Sequence, residues 1–211
     1  ALGIAKKNNA KILLTSTSEV YGNPLVSPQI EEYFGNVNTS GIRSCYDEGK
    51  RCSEALFMDY HREHKIKIRI ARIFNTYGPN MSKEDGRVIS NFIVNSLVNE
   101  NLLINGDGSQ TRSFMYIDDL IVGLIKLMNT PSLTTPVNLG NTEELTISEL
   151  SKLILKFTNS KSKIIFKKSI KDDPKRRRPD IALAKNLLGW VPENDMHVGI
   201  KKTIEYFKKI V

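Results

Sequence analysis

The sequence is poor in the residues that staple or metallate a fold. Two of its 211 residues are cysteine, Cys45 and Cys52, seven positions apart, a spacing that matches no metal-binding pattern. The three histidines, His61, His64 and His197, form no plausible zinc set, and His61 and His64 read as the polar side of a helix. No metal site is therefore expected. No apolar run approaches the roughly 20 residues of a bilayer span, so no membrane contact is expected from this segment. The chain opens Ala1-Leu2-Gly3-Ile4-Ala5-Lys6-Lys7, without an initiator Met and without a signal-peptide pattern. It reads as the tail of a helix cut from a longer chain. No internal repeat or low-complexity tract is present.

The composition is that of an ordinary globular protein, and 211 residues suffice for one sizeable core or a core plus a small lobe. The net charge of +8 is unevenly spread. Residues 161–178 hold nine basic and two acidic side chains, a local +7 that leaves +1 for the rest. A nucleic-acid binder more often carries a distributed basic stripe with a docking element. A local patch suits a small anion such as a nucleotide diphosphate.

The chemistry concentrates between Lys11 and Lys50. Lys11 to Thr15 reads as a buried-type strand, running into Ser16-Thr17-Ser18-Glu19-Val20-Tyr21-Gly22. Tyr46 and Lys50 lie four apart at the start of a helix expected from Ser44 to about Glu63, so they share a face. A free Tyr has a pKa of about 10, and a lysine ammonium on the same face supplies the field that a phenolate base needs. Thr17 is placed to hold a substrate hydroxyl. Glu19 is a carboxylate that plain alcohol oxidation does not need.

Pro24 to Gly41 reads as a long loop, and its length points to function. Ile66, Ile68 and Ile70 alternate with Lys67 and Arg69, the pattern of a strand with one wetter face or at a sheet margin. The strand-helix-strand order argues for a parallel unit. Arg72 and Asn75 then stand at a strand's carboxyl end, where parallel sheets bind ligands. Further helices are expected through Val88–Val98, Asp119–Met128 (capped by Asp118 or Asp119), Thr146–Phe157 with the box Thr146-x-x-Glu149, and from Asp180 to Leu188 with Gly189 as its stop. A last helix carries Ile200, Ile204, Phe207 and Ile210. Short strands are expected at Leu102–Ile104, Val137–Gly140 and Ile164–Phe166.

Taken together, Thr17-Ser18-Glu19-Val20-Tyr21-Gly22, Gly35-Asn36-Val37-Asn38, Arg43-Ser44-Cys45-Tyr46-Asp47-Glu48-Gly49-Lys50-Arg51, Ala71 to Pro79, Asp85-Gly86-Arg87-Val88, Gly108 to Arg112 and Asp173 to Asp180 carry a resemblance. The chain resembles the nucleotide-sugar enzymes of the extended short-chain dehydrogenase/reductase family, most of all the branch that decarboxylates UDP-glucuronate. The likeness covers nearly the whole chain. It implies an α/β fold: the C-terminal part of a Rossmann-like parallel sheet plus a small α/β substrate-binding lobe. Residues 1–80 would complete the NAD-binding domain and carry the catalytic groups. Residues 81–211 would mainly bind the nucleotide sugar, with segments returning to the first domain. The glycine-rich strand-turn-helix that opens this family is not found in the 211 residues, which reads as a missing N-terminal half. A fragment of that kind would be inactive alone. Phe34 and Thr39-Ser40 are mild departures from the family pattern.

By the same resemblance Thr17, Glu19, Tyr46 and Lys50 would be catalytic, and Thr15, Tyr46, Lys50 and Arg72 would face NAD. Ser18, Asn75, Arg87, Arg112, Tyr116 and Arg177 would bind the UDP-sugar. The implied reaction converts UDP-glucuronate to UDP-xylose and CO2 through a 4-keto sugar, with NAD regenerated within the cycle. A 4,6-dehydratase commonly has Asp-Glu where Ser18-Glu19 stands, and a 4-epimerase usually lacks the carboxylate. An oxidative decarboxylase that releases the 4-keto pentose and NADH shares Thr-Ser-Glu and is the alternative within the family. Outside it stand a scaffold or a nucleic-acid binder using the basic patch. The intact Thr17/Tyr46/Lys50 set argues against the first, and the lack of interleaved aromatic and basic residues against the second. The family also implies a homodimer through helices, with Leu56, Phe57 and Tyr60 in core or interface. The compartment it implies is the cytoplasm, or the Golgi lumen for a parent with an N-terminal anchor.

Overall fold

The computed structural model describes residues 1–169 and 176–211. Lys171 and Lys175 of the basic run, with Asp172, Asp173 and Pro174 of the last motif, lie outside the described residues. In chain order, α1 (Leu2–Lys7) and β1 (Ile12–Thr17) lead through a 3-10 turn (Ser18–Tyr21) and a long loop to α2 (Ser44–His64). Then come β2 (Ile68–Ile73), β3 (Thr76–Tyr77), α3 (Val88–Leu97), β4 (Leu102–Asn105), β5 (Thr111–Ser113), β6 (Met115–Tyr116) and α4 (Ile117–Asn129). The remainder is β7 (Val137–Leu139), β8 (Glu144–Thr146), α5 (Ile147–Thr158), β9 (Ile164–Lys167), β10 (Arg176–Arg177), α6 (Ala182–Leu188) and α7 (Met196–Phe207).

The organising sheet is parallel, in the order β1-β2-β7. Ile12 pairs with Ile68 and Thr17 with Ile73, while Ala71 pairs with Val137. Side chains alternate across a strand, and both faces are apolar. Ile12, Leu14, Ile68 and Ile70 pack with Ala5 and Phe57 under α1 and α2. Leu13, Ala71, Ile73, Val137 and Leu139 pack with Leu120, Leu127 and Trp190 under α4 and α6. Helices on both faces of a parallel sheet make this an α/β fold. A separate core joins α3, α5 and α7 to β4 through Phe92, Ile93, Leu102, Leu150, Ile154, Ile200 and Phe207.

Local chemistry sets several boundaries. Thr146 accepts the N–H of Glu149 while the Glu149 carboxylate accepts that of Thr146, the capping box read from sequence. Gly189 ends α6 in the left-handed conformation. In α2, Phe57 is core, Tyr60 packs partly against it, and Leu56 is exposed.

Two expectations are corrected. β2 is the central strand, not a margin with a wet face, and Arg69 is only 1% exposed. Its guanidinium donates to the carbonyls of Leu127, Thr130 and Pro131 at the end of α4. Helix ends leave carbonyls without intrahelical donors, so a charged side chain is satisfied inside the fold. Asp118 and Asp119 do not cap α4, whose N-cap is Tyr116. Asp119 is buried instead and accepts from the backbone of Glu193 and Asn194 and from the Asn194 amide. It fastens the segment that leads into α7.

Gly199 is a close-approach position. A Cβ there would lie 2.4 Å from the Tyr77 hydroxyl and 2.9 Å from the Tyr116 ring, and both rings are buried. At Gly49, in the second turn of α2, an added Cβ would meet nothing within 4 Å. Gly199→Ala is expected to destabilise by about 1–3 kcal/mol through overpacking. Gly49→Ala is expected to stabilise by about 0.5–1 kcal/mol through lost backbone entropy. Urea unfolding midpoints of the two variants would separate in opposite directions from the parent.

Candidate active site

The carboxyl ends of β1 and β2 open into a cleft of about 610 Å³. Thr15, Ser16, Thr17, Ser18 and Glu19 form one wall, and Tyr46 and Lys50 project from the first turns of α2. Asn75 follows β2, Arg87 precedes α3, and Arg112 comes from β5. Nine of the twelve expected site residues therefore share one cleft: Thr15, Thr17, Ser18, Glu19, Tyr46, Lys50, Asn75, Arg87 and Arg112. The α2 axis gives Tyr46 and Lys50 a common face, with the Lys50 Nζ 5.8 Å from the centre of the Tyr46 ring. That ammonium also donates to the Thr15 carbonyl at 2.9 Å. Tyr46 is 50% exposed. The Thr17 hydroxyl accepts the N–H of Glu19 at 3.2 Å, which leaves its own proton free to donate.

Arg177 does not line the cleft but clamps a residue that does. Its two terminal nitrogens donate to the two Glu19 oxygens at 2.6 and 2.9 Å, a bidentate pair. β10 runs parallel to β5 with Arg177 opposite Arg112, and this register brings a residue 158 positions away onto Glu19. The Arg43 guanidinium reaches the same Glu19 Oε1 at 2.7 Å. Sequence reasoning gave Arg43 no role. Its spacing, three residues before Tyr46 at the N-cap of α2, was the available signal. Arg87 is anchored by Asp85, and the hydrogen bond from Arg87 holds the Asp85 carboxyl below its ordinary value. Arg176 pairs with Glu144 at 2.5 Å while its side chain stays exposed.

Two expected site residues lie elsewhere. Tyr116 is buried, edge-to-face with Tyr77 at 5.8 Å, beneath Gly199. Arg72 is not on the cleft wall. Its guanidinium forks onto Glu54 of α2, donates to the Tyr21 hydroxyl at 3.0 Å and reaches the Glu31 carbonyl at 2.8 Å. The Ser16 hydroxyl closes the set by donating to Glu54 at 2.5 Å. Tyr21 in turn donates to Asn138 on β7. Burial pushes the Tyr21 phenol up to about 12 against the opposing pull of Arg72. This group bolts α2 to the carboxyl ends of β1 and β2.

The sequence matches the model of the NAD dependent epimerase/dehydratase family over residues 1–140. The chain belongs to that family. It is 51% identical over 210 residues to UDP-glucuronic acid decarboxylase 4 of Arabidopsis thaliana, covering 100% of this chain and 47% of that protein. It is 52% identical to UDP-glucuronic acid decarboxylase 1 of Danio rerio, covering 99% of this chain and 50% of that protein. The chain thus spans about half the length of the curated relatives it matches. The fold superposes on the UDP-glucuronic acid 4-epimerase of Bacillus cereus, solved with UDP-glucuronic acid and NAD, with a TM-score of 0.88 at 29% identity. That match covers 100% of this chain and 65% of the other. The parallel β1-β2-β7 sheet belongs to the Rossmann-like fold shared with that structure.

The side chains of Arg72 and Glu54 are 13% and 10% exposed. Removing one partner of a buried pair strands the other charge. Glu54→Ala is expected to lose about 3–5 kcal/mol, read as a lowered denaturant midpoint. A variant as stable as the parent would show that the pair does not hold α2.

Proposed function

We propose that the full-length protein converts UDP-glucuronate to UDP-xylose and CO2, using NAD that is restored in each cycle. The observation that carries this reading is the convergence of Thr17, Glu19, Tyr46 and Lys50 on one cleft, with Glu19 clamped by Arg177. Close relatives named UDP-glucuronic acid decarboxylases support it. On this reading residues 1–80 complete the cofactor domain, and most of residues 81–211 bind the nucleotide sugar.

The donor set fits a nicotinamide cofactor at its reactive end. Thr15, Tyr46 and Lys50 stand together at the open carboxyl end of β1, with the Lys50 ammonium aligned by a carbonyl. The cofactor, when bound, supplies a hydride acceptor at C4 of the sugar that later serves as donor. Tyr46 takes the proton from the C4 hydroxyl, in the field of Lys50. Thr17 donates its free proton to the same oxygen. Oxidation at C4 leaves the C6 carboxylate beta to a ketone. The C5–C6 bond then breaks, CO2 leaves, and the electron pair passes into an enolate. Tyr46 and Thr17 stabilise the enolate oxygen, since they already address that atom. C5 next takes a proton on the side of Glu19. Asn75, Arg87 and Arg112 supply donors and positive charge for the nucleotide diphosphate. Arg177 orients Glu19 and adds charge near the sugar carboxylate.

We also propose a homodimer of the full-length protein. α2 leaves Cys52, Ala55 and Leu56 exposed along one side, an apolar face suited to a second copy of the helix. The two free, exposed thiols fit a compartment that keeps cysteines reduced, and the cytoplasm is our assignment.

Full-length protein given UDP-glucuronate and NAD should release CO2 and form UDP-xylose with no net NADH. A 4-keto pentose with stoichiometric NADH would select the oxidative branch, and no turnover would sink the decarboxylase reading. Tyr46→Phe should lower kcat by roughly 10²–10⁴-fold with KM little changed. In sedimentation equilibrium the full-length protein should run as a dimer, and Leu56→Arg should shift it toward monomer. A monomeric parent would refute the assembly.

A further inference from the structure

Glu19 separates two spaces. On one side is the cleft, and on the other a cavity of about 180 Å³ lined by Glu19, Arg43, Asp47, Asn23, Asn36 and Asn38 among others. Its lining is polar and its volume admits more than one water. Asp47 sits in the first turn of α2, directly after Tyr46, and is 6% exposed. Its Oδ1 is fully buried and has no hydrogen-bond partner. A buried carboxylate oxygen without a donor is disfavoured, and protonation of the carboxyl relieves that cost. Glu19 has the opposite surroundings, since both its oxygens accept from guanidinium groups. Two carboxyl groups whose environments differ in this way divide acid and base roles between them.

We propose that Asp47 is the proton reservoir of the site, a buried carboxylic acid that passes its proton to Glu19 through the cavity behind the cleft. This rests on the decarboxylation reading for its chemical use. When CO2 leaves, C5 needs one proton. Asp47 releases it into the cavity, Glu19 relays it to C5, and Asp47 is left as a carboxylate that regains a proton from water. One proton is consumed for each CO2 formed from a carboxylate, which balances the step. Asp47 touches neither substrate nor cofactor and acts through Glu19. The charged groups that face it are Glu19 from the turn after β1, Arg43 and Glu48 from its own helix region, and Arg177 from β10. Burial and then Glu19 raise its pKa, Arg43 and Arg177 oppose this, and Glu48 adds a small upward push. The retained proton has a thermodynamic signature. The folded protein keeps this proton above the pH at which the unfolded chain releases it. The native state therefore loses stability as pH rises from the unfolded value, about 4, through the raised folded one.

The test uses the full-length protein and its Asp47→Asn, Asp47→Glu and Glu19→Gln variants. Asp47→Asn should lower kcat for CO2 release about 10- to 100-fold, with KM for UDP-glucuronate within about twofold, and Asp47→Glu should restore most of the rate. Independently of turnover, the unfolding midpoint of Asp47→Asn should gain on the parent as pH rises above about 4. Removing the Glu19 charge should shrink that gain. An unchanged kcat in Asp47→Asn, or a midpoint difference that is flat with pH, would overturn the proposal. If the parent releases no CO2 from UDP-glucuronate, the decarboxylation reading falls separately. The pH-dependent midpoint difference still decides whether Asp47 holds a proton coupled to Glu19.

Discussion

The ion pair between Arg72 and Glu54 holds the rest in place. It joins the carboxyl end of β2 to the second turn-pair of α2, and Ser16 of β1 shares the same carboxylate. Arg72 also carries the Tyr21 phenol, which reaches Asn138 on β7. One guanidinium therefore gathers all three strands of the parallel sheet and the helix that bears Tyr46 and Lys50. Buried pairs gain little net stability over apolar replacements. Their value here is positional, because a bidentate fork fixes rotation as well as distance. A half-turn slip of α2 would carry Tyr46 off the cleft.

A second clamp fixes Glu19. Glu19 has Arg177 on one side and Arg43 on the other. Through Arg177 the last part of the chain is anchored to the first strand-end loop. A residue of the cleft wall is thus held by one from far along the chain that stands outside the cleft. The electrostatics around it are uneven: guanidinium groups bind both oxygens of Glu19, while Asp47, four residues beyond the α2 N-cap, is buried with one oxygen that has no donor. The same helix start presents a phenol to the cleft and a carboxyl to the cavity behind it. Adjacent residues on a helix point about 100° apart, and that divergence is what allows one turn to serve both spaces.

Much of this was legible in the sequence. The α2 helix, the capping box at Thr146, the stop at Gly189 and the strand-end placement of Thr17, Glu19 and Asn75 all follow from local signals. What escaped was set by partners far along the chain. Arg69 alternates with isoleucines as an exposed residue would, and nothing local announces the carbonyls at the end of α4 that satisfy it. Asp119 looks like a helix cap, yet the backbone of Glu193 and Asn194 claims it. Arg72 and Tyr116 stand near the right strand ends, but a side chain at a strand end has two directions to take. Glu54 drew one away from the cleft and Tyr77 the other. Arg43 and Asp47 were visible in the sequence, and only the placement of Glu19 between them gave them meaning.

β1, which leads into the wall of the cleft, has one open side. β1 pairs with β2 along one side only, and its other side meets no strand among the described residues. Alternate residues turn their N–H and C=O groups toward β2, so Leu13 and Thr15 carry the open side, where the Thr15 carbonyl already accepts from Lys50. Such an edge is a template for strand addition by any other chain. A preparation of these 211 residues alone would be judged first by its solubility. The same edge is the natural seam along which a neighbouring strand would extend the sheet and bury Thr15.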